Sequence, residues 1–299
     1  MPLSTGCTHR GNASGCLAVE VTCPGLPARV VELNISERAA GTADKGTVVL
    51  GSGSSGTAFS LAATYGAELR TGLTSAGFRV VDRSWPAPTG WYGDHALGIR
   101  ASGCRYATLV AWLRSTYHQA GGFCVAGNSG GAAELGYALT AWGSESVIDL
   151  AIPSGGPAVT RLDYACGSQA NQTWIDRCGA NIPNGLFACA TSNGKPPCFL
   201  PARQDVCTRT SETPTEAQLR MDSVMFEGAD VSYARTKLHF LNGTADCGAT
   251  LPNGMEWANA ITSEKSVEWV SGMPHPILTS AVGKDALLRT ITNQCVSRR

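Results

Sequence analysis

The sequence predicts an α/β fold with a doubly wound, mostly parallel sheet and helices on both of its faces. From Thr47 onward, short and continuously apolar runs, typical of buried parallel strands, alternate with segments whose apolar residues recur at helical spacing. This order of strand, turn and helix repeats three times before residue 157 and resumes after residue 233. The 299 residues, of which 43% are hydrophobic, are enough to bury the core that such a sheet needs.

Two earlier runs predict an antiparallel opening pair of strands. Residues 17–22 ("LAVEVT") and 29–35 ("RVVELNI") show the partial alternation of half-buried strands. The turn-like sequence "CPGLP" lies between them. We therefore expect this pair to precede the parallel part of the sheet.

Four strands and three helices are predicted between residues 47 and 156. The strands are the apolar runs "TVVL", "FRVV", "FCVA" and "SVIDLAI", at 47–50, 78–81, 123–126 and 146–152. The first helix has apolar residues at intervals of three or four from Ala58 to Leu73. The second presents Tyr106, Leu109, Leu113 and Tyr117 on one face, and the third is "AAELGYALTAW" at 132–142.

The segment 157–233 interrupts this regularity. It holds five of the twelve cysteines, is rich in Pro, Gly and Asn, and has one predicted helix at about 215–226. We interpret it as a cysteine-rich lid or cap, inserted into a main domain formed by residues 1–156 and 234–299. After it, strands are predicted at 237–243 and 266–272, and helices at about 255–261 and 277–294.

Composition and charge exclude several classes of partner. Lys plus Arg and Asp plus Glu both number 23, and no long run of one sign is present, so nothing indicates binding to nucleic acid or to an anionic membrane. The longest apolar windows are the size of strands, well short of the roughly 18 residues that a transmembrane helix requires. We expect a soluble protein, and its oligomeric state stays open.

The twelve cysteines predict disulfides and an oxidising compartment. No C-x-x-C pair and no cysteine and histidine cluster has the spacing of metal ligands, so no metal is expected. The first 16 residues lack the basic and apolar regions of a signal peptide. We therefore expect a secreted, mature form from which a signal has been removed, and we leave the connectivity of the cysteines open.

The sequence "GNSGG" at 127–131 places Ser129 in the pattern G-x-S-x-G between a predicted strand and a predicted helix. A serine on such a sharp turn needs glycines two positions to either side, because the turn leaves little room for side chains. Its hydroxyl stands at the start of a helix, where backbone N–H groups favour a developing oxyanion. Ser129 is the predicted nucleophile, although a chain with 35 glycines also allows the pattern to arise by chance.

A nucleophilic serine needs a base and an orienting carboxylate. Of the five histidines, only His275 follows a late predicted strand, in "VEWVSGMPHP". Asp246 likewise follows the strand in "LHFLNGTAD", with Asp222 and Asp230 as alternative acids. The order Ser129, Asp246, His275 is that of the α/β-hydrolases.

The chain resembles an α/β-hydrolase from about residue 17 to 295. The resemblance lies in "GNSGG", "FLNGTAD", "GMPH" and the last predicted helix. It implies acyl transfer through a serine, most often hydrolysis of an ester, with no metal or organic cofactor. Asn128 before the serine, and the lack of an HGGG segment, differ from common lipases and esterases and leave the subfamily open. "GNSGG" is also close to the G-D-S-G-G of chymotrypsin-like proteases, but in those β-barrels the histidine and aspartate precede the serine.

The sequence "GSGSSG" at 51–56 has two interpretations. Gly51, Gly53 and Gly56 match the dinucleotide pattern G-x-G-x-x-G, with Asp82, at the end of the next strand, as the ribose ligand of a nicotinamide-dependent oxidoreductase. In a hydrolase the same loop supplies the second oxyanion donor, from among residues 52–54, beside the N–H of Gly130. We choose Gly53 as that donor, and the hydrolase interpretation also accounts for the three triad residues.

The sequence therefore predicts a secreted serine esterase acting on a small or polymeric ester. Four aromatic residues in the loops and the lid are expected to line its substrate pocket, which would suit an aromatic ester. They are Trp85, Trp91, Tyr92 and Trp174. Two alternatives stay open, a nucleotide-dependent oxidoreductase and a hydrolase-like binding protein without catalysis.

Overall fold

The structure is a computed structural model and describes residues 2–5, 7, 15–93, 97–166, 172–183, 198–200, 207 and 214–298. These residues contain nine strands in one sheet, in the spatial order β1-β2-β3-β5-β4-β6-β7-β8-β9. Their bounds are β1 (Pro2–Thr5), β2 (Cys16–Cys23), β3 (Leu26–Ser36), β4 (Gly46–Gly51), β5 (Phe78–Ser84), β6 (Gly122–Asn128), β7 (Leu150–Ser154), β8 (Lys237–Gly243) and β9 (Lys265–Val270).

The helices connect the strands in the predicted alternation. They are α1 (Gly66–Ser75), α2 (Ile99–Tyr117), α3 (Gly130–Thr140), α4 (Leu162–Ala165), α5 (Gln172–Ala180), α6 (Glu216–Asp222), α7 (Thr250–Ala260) and α8 (Ala281–Gln294). Strands β4 to β9 pair in parallel, whereas β1, β2 and β3 pair antiparallel, with Val19 of β2 opposite Val31 of β3. The predicted fold and its antiparallel opening pair are confirmed.

The sheet separates two hydrophobic cores, because successive side chains of a strand point to opposite faces. Val49 of β4 packs with Leu109 of α2 and Leu135 of α3. Its neighbour Val48 packs on the other side with Leu69 of α1 and Leu287 of α8. Strand β4 is buried along its whole length, as its continuous apolar run predicts.

Several predicted elements differ from those observed at their boundaries, and 3₁₀ turns account for three of these differences. The helix expected from Ala58 begins only at Gly66 and follows a 3₁₀ turn at Ser60–Ala62, because the buried Asp82 carboxylate accepts hydrogen bonds from the N–H groups that open this turn. Strand β7 begins at Leu150 because residues 144–146 form another 3₁₀ turn. The last helix begins at Ala281, where the Ser280 hydroxyl accepts from Gly283 N–H, after a 3₁₀ turn at Ile277–Thr279.

The segment between β7 and β8 holds more helix than its sequence predicted. Besides α6, which begins with a capping box at Thr215 and Gln218, the described residues include α4 and α5. Helix α5 packs on α7, where Asn181 donates to Pro252 O and Arg177 forms an ion pair with Glu256. This part of the segment is therefore held to α7 by polar contacts as well as by packing.

The prediction of disulfides is confirmed, since no described cysteine is free. Five bridges join described residues: Cys7–Cys16, Cys23–Cys104, Cys124–Cys295, Cys166–Cys207 and Cys178–Cys198. Cys247, next to Asp246, is also disulfide-bonded. Across the described ranges, no helix combines the length and apolar character needed to cross a membrane.

Candidate active site

Ser129, the predicted nucleophile, lies on the turn that joins β6 to α3. Its backbone has φ 54° and ψ −108°, a region that residues other than glycine rarely adopt. Its N–H donates to the carbonyl of Ser154, at the end of the adjacent strand β7, at 2.9 Å. The strained turn is thus held in place by the neighbouring strand.

The glycines two positions before and after Ser129 are required because a larger side chain would not fit there. A Cβ atom on Gly127 would collide with the carbonyl of Gly131. A Cβ atom on Gly131 would lie 2.7 Å from the carbonyl oxygen of Gly51, at the end of β4. The G-x-S-x-G spacing is therefore what allows the turn to pack against the neighbouring strand.

His275 and Asp246 contact each other directly. The distance from His275 Nδ1 to Asp246 Oδ2 is 2.8 Å, and the Asp246 residue is 1% exposed. Its other carboxylate oxygen, Oδ1, accepts from Gly248 N–H at 3.1 Å, while the Thr250 hydroxyl lies 3.3 Å from His275 Nδ1. The carboxylate at the histidine is therefore that of Asp246 and not of the alternatives Asp222 or Asp230.

Gly155 and Asn128 connect this pair to the serine turn. A Cβ atom on Gly155 would lie 2.9 Å from Asp246 Oδ2, 3.1 Å from His275 Nδ1 and 3.2 Å from Asn128 Nδ2. The Asn128 amide donates to the carbonyl of His275 at 2.9 Å and to that of Ser154 at 3.2 Å. The structure thus brings the three predicted triad residues to one edge of the sheet. From sequence, Asn128 had no assigned role and was notable only for its unusual place before the serine.

The predicted oxyanion donors Gly53 and Gly130 lie on either side of Ser129. A Cβ atom on Gly53 would lie 3.2 Å from Ser129 Cβ and 3.8 Å from Ser129 Oγ. A Cβ atom on Gly130 would collide with the carbonyl of Ser54, so the loop at 51–56 and the start of α3 touch backbone to backbone. Within the described part of the chain, the N–H groups of Gly53 and Gly130 have no hydrogen-bond acceptor, which leaves them available to a substrate oxygen.

A buried ion pair that the sequence did not suggest holds this loop to α3. The Arg83 guanidinium contacts the Glu134 carboxylate, and both side chains are fully buried. Arg83 also donates to the carbonyls of Gly56, at 3.1 Å, and Ser52, at 3.4 Å. Trp85 donates its indole N–H to Glu134 at 2.5 Å. Although burial lowers the pKa of Arg83 to about 10, the guanidinium stays protonated at neutral pH.

These contacts give the glycine pattern at 51–56 another explanation than a dinucleotide. A Cβ atom on Gly51 would lie 2.6 Å from one Arg83 nitrogen, and a Cβ atom on Gly56 would lie 2.5 Å from another. Both Asp82 carboxylate oxygens are engaged by the N–H groups of Ser60, at 2.9 Å, and Leu61, at 2.8 Å, and burial raises the pKa of Asp82 to about 7. Asp82 is thus occupied inside the protein, which argues against its role as a ribose ligand.

The aromatic residues expected to line a substrate pocket lie elsewhere. Trp85, Trp91 and Trp174 are at most 1% exposed, and Tyr92 packs edge to face on Trp91, with ring centroids 5.2 Å apart. Trp174 stacks on Tyr164 and donates to the carbonyl of Cys198 at 3.1 Å. None of the four borders the cavity beside the site. These aromatic rings thus contribute to packing inside the protein, which is a common use of such large apolar side chains.

A mostly apolar cavity of about 350 Å³ adjoins the site. Its boundary includes Gly53, Asn128 and Ser154, together with Pro276, which follows His275. No described residue between 157 and 233 borders it. Among the described residues, no group of three or more His, Cys, Asp or Glu side chains is placed to hold a metal ion.

Comparisons with known proteins agree with this architecture. No family model matches the sequence, and no curated protein matches it. Among solved structures, Est1E from Butyrivibrio proteoclasticus is similar at 14% identity and a TM-score of 0.55, over 93% of this chain and 98% of that one.

Two further structures are similar at low identity. Mouse alpha/beta hydrolase domain-containing protein 10 is similar at 11% identity and a TM-score of 0.55, over 92% of this chain and 97% of that one. The acylaminoacyl peptidase of Pyrococcus horikoshii is similar at 10% identity and a TM-score of 0.56, over 97% of this chain and 43% of that one. With the order of its strands and the strained turn after β6, the chain has the α/β-hydrolase fold.

Proposed function

We propose that the protein is a serine hydrolase that cleaves carboxylic esters through an acyl-enzyme. The observation that carries the proposal is the 2.8 Å contact between His275 and the buried Asp246, beside the strained turn of Ser129. A serine on such a turn, with a histidine held by a carboxylate, is the arrangement that nucleophilic acyl transfer requires. The acylaminoacyl peptidase among the similar structures is consistent with this chemistry.

In the first half of the reaction, Ser129 Oγ attacks the ester carbonyl while His275 accepts its proton. Asp246 fixes the orientation of the imidazole and stabilises its protonated form. The N–H groups of Gly130 and Gly53 stabilise the tetrahedral oxyanion, each by about 3 kcal/mol if they act as typical donors. The intermediate then expels the alcohol, which takes the proton from His275.

In the second half, water attacks the acyl-enzyme with His275 as the general base. The same two N–H groups stabilise the second tetrahedral intermediate, and the acid leaves as Ser129 recovers its proton. These steps need no metal and no organic cofactor.

We further propose that the protein acts outside the cell, as its disulfides suggest, and that segment 157–233 serves as a cap.

A fluorophosphonate probe and p-nitrophenyl esters test the proposal together. We expect the probe to label the folded protein, and Ser129→Ala to abolish both labelling and ester turnover. Ser115→Ala is the matched control, because Ser115 is exposed on α2 and its hydroxyl donates to Trp112 O, away from the site. If the folded protein were not labelled, the proposed chemistry would be wrong. Labelling without turnover of any ester would indicate another acyl substrate, such as an amide, and NAD bound to the protein would revive the oxidoreductase alternative.

A further inference from the structure

The cavity beside the site lies between two 3₁₀ turns, on the face of the sheet that α1 and α8 cover. One wall is the turn at Ser60–Ala62 with the alanines around it, and the other is the turn at Ile277–Thr279, which follows the candidate base. The inner end is formed by Leu50, Ala126 and Ile152, near the carboxyl ends of β4, β6 and β7, and by Leu287 of α8.

The cavity reaches the reacting groups at its polar end. Gly53, whose N–H is a proposed oxyanion donor, and Asn128, which holds the backbone of His275, both border it. A Cβ atom on Gly53 would lie 3.8 Å from Ser129 Oγ, so this border is within contact distance of the nucleophile. A group attached to the carbonyl carbon at Ser129 can therefore extend from there into the cavity.

The boundary that the structure describes carries no charged side chain. Away from the polar end it consists mainly of aliphatic residues, with one aromatic ring, that of Phe59. An ionised or strongly polar group would lose much of its hydration there without gaining a charged partner. An unbranched hydrocarbon chain would instead gain from leaving water, by a free energy that grows with each methylene.

We propose that this cavity binds the aliphatic acyl chain of the ester substrate. The inference rests on the proposed function and names its substrate class. The acyl group is assigned to the cavity because it stays attached to Ser129 until the second half of the reaction is complete. The alcohol is released into solvent after the first half, so it needs a path out of the site. This assignment replaces the aromatic pocket expected from the tryptophans, which are buried elsewhere.

A series of p-nitrophenyl esters from acetate to decanoate tests the proposal. For the wild type we expect kcat/KM to rise by about fourfold for each added methylene that enters the cavity, and to fall once the cavity is full. Benzoate and ferulate esters should be poorer substrates than the best aliphatic ester. A profile that is flat, or that falls from acetate onward, would overturn the assignment.

Substitutions at the wall of the cavity make the test specific. Ala62 is exposed and Ala63 is half-buried, and both border the cavity, so a larger side chain at either position takes up space in the cavity. We expect Ala62→Phe and Ala63→Phe each to lower the ratio of octanoate to acetate turnover at least about tenfold, by excluding several methylenes from the cavity. Phe59→Ala should move the optimum to a longer chain.

The matched control is Ala67→Phe, at an exposed position of α1 that does not border the cavity, and its profile should equal that of the wild type. Equal losses for all chain lengths in the wall variants would contradict the assignment. If Ser129-dependent labelling persists while the chain-length profile is the same in the wall variants as in the wild type, the assignment of the acyl chain to the cavity is wrong and the serine chemistry stands. If neither labelling nor turnover occurs, both proposals fall.

Discussion

The side-chain amide of Asn128 donates a 2.9 Å hydrogen bond to the backbone carbonyl of His275. The residue before the candidate nucleophile thus holds the main chain of the candidate base, and its second hydrogen bond, to Ser154 O at 3.2 Å, fixes it to β7. The bond to His275 joins segments that lie 147 residues apart in the chain. The placement of the candidate base relative to the candidate nucleophile is therefore set partly by the side chain of Asn128.

We expect Asn128→Ala to lower kcat by about fivefold and to change KM little. The loss of a hydrogen bond of this kind is worth about 1 kcal/mol, and a misplaced imidazole affects the transition state more than the bound substrate. Steady-state kinetics with a p-nitrophenyl ester measure the effect. Asn259→Ala is the control, because Asn259 is exposed on α7 and its side-chain amide donates to Asn181, away from the site. An unchanged kcat in Asn128→Ala would show that the tether does not position His275.

The ion pair of Arg83 and Glu134 gives a second prediction. Loss of Arg83 should lower both stability and activity, and removal of both charges should restore stability alone. Arg83→Met leaves a buried, unpaired carboxylate and should lower the free energy of unfolding by about 3 to 5 kcal/mol. In the double variant Arg83→Met and Glu134→Met, both charges are absent, so most of that stability should return. Activity should not return, because the carbonyls of Ser52 and Gly56 still lack their donor and the loop that carries Gly53 is no longer held.

Chemical unfolding and kcat, measured on the wild type, the single and the double variant, check this prediction. Full activity in a stable double variant would mean that the ion pair does not position the loop. A double variant as unstable as Arg83→Met would mean that the pair contributes packing that methionine cannot replace.

Asp82 predicts how stability depends on pH. Burial raises its pKa from 3.8 to about 7 in the folded protein, so between these values the folded state holds a proton that the unfolded state has released. The contribution of Asp82 to stability is therefore full below about pH 4 and is lost as the pH rises through about 7. The loss amounts to about 4 kcal/mol, from about three pKa units at about 1.4 kcal/mol each.

The measurement is the free energy of unfolding across this pH range for the wild type and for Asp82→Asn. We expect the decline with pH to be smaller in the variant by the amount that Asp82 contributes. Ser115→Ala, at an exposed position of α2 without a titratable group, should retain the slope of the wild type. Identical slopes for wild type and Asp82→Asn would contradict a raised pKa at Asp82.

Much of the fold was predictable because strands β4 to β8 are buried along almost their whole length and contain short continuous apolar runs. The placement of Ser129, Asp246 and His275 at one edge of the sheet was predictable because each follows a strand, and parallel strands bring their carboxyl ends to the same edge. The Arg83 and Glu134 pair was not, because residues 51 positions apart in separate elements leave no local pattern. The burial of Trp85 and Trp174 was also missed, since a tryptophan near polar and proline residues looks the same in sequence whether it covers a core or lines a pocket.

The central claim, that Ser129 carries the acyl group, is tested most directly by trapping the intermediate. The folded protein is mixed with excess p-nitrophenyl ester, the burst of p-nitrophenol is measured, and the quenched protein is digested for mass spectrometry. We predict a burst of about one equivalent and an acyl mass shift on the peptide containing Ser129, both absent from Ser129→Ala. An acyl group located on another residue, or a burst that persists in Ser129→Ala, would contradict the claim.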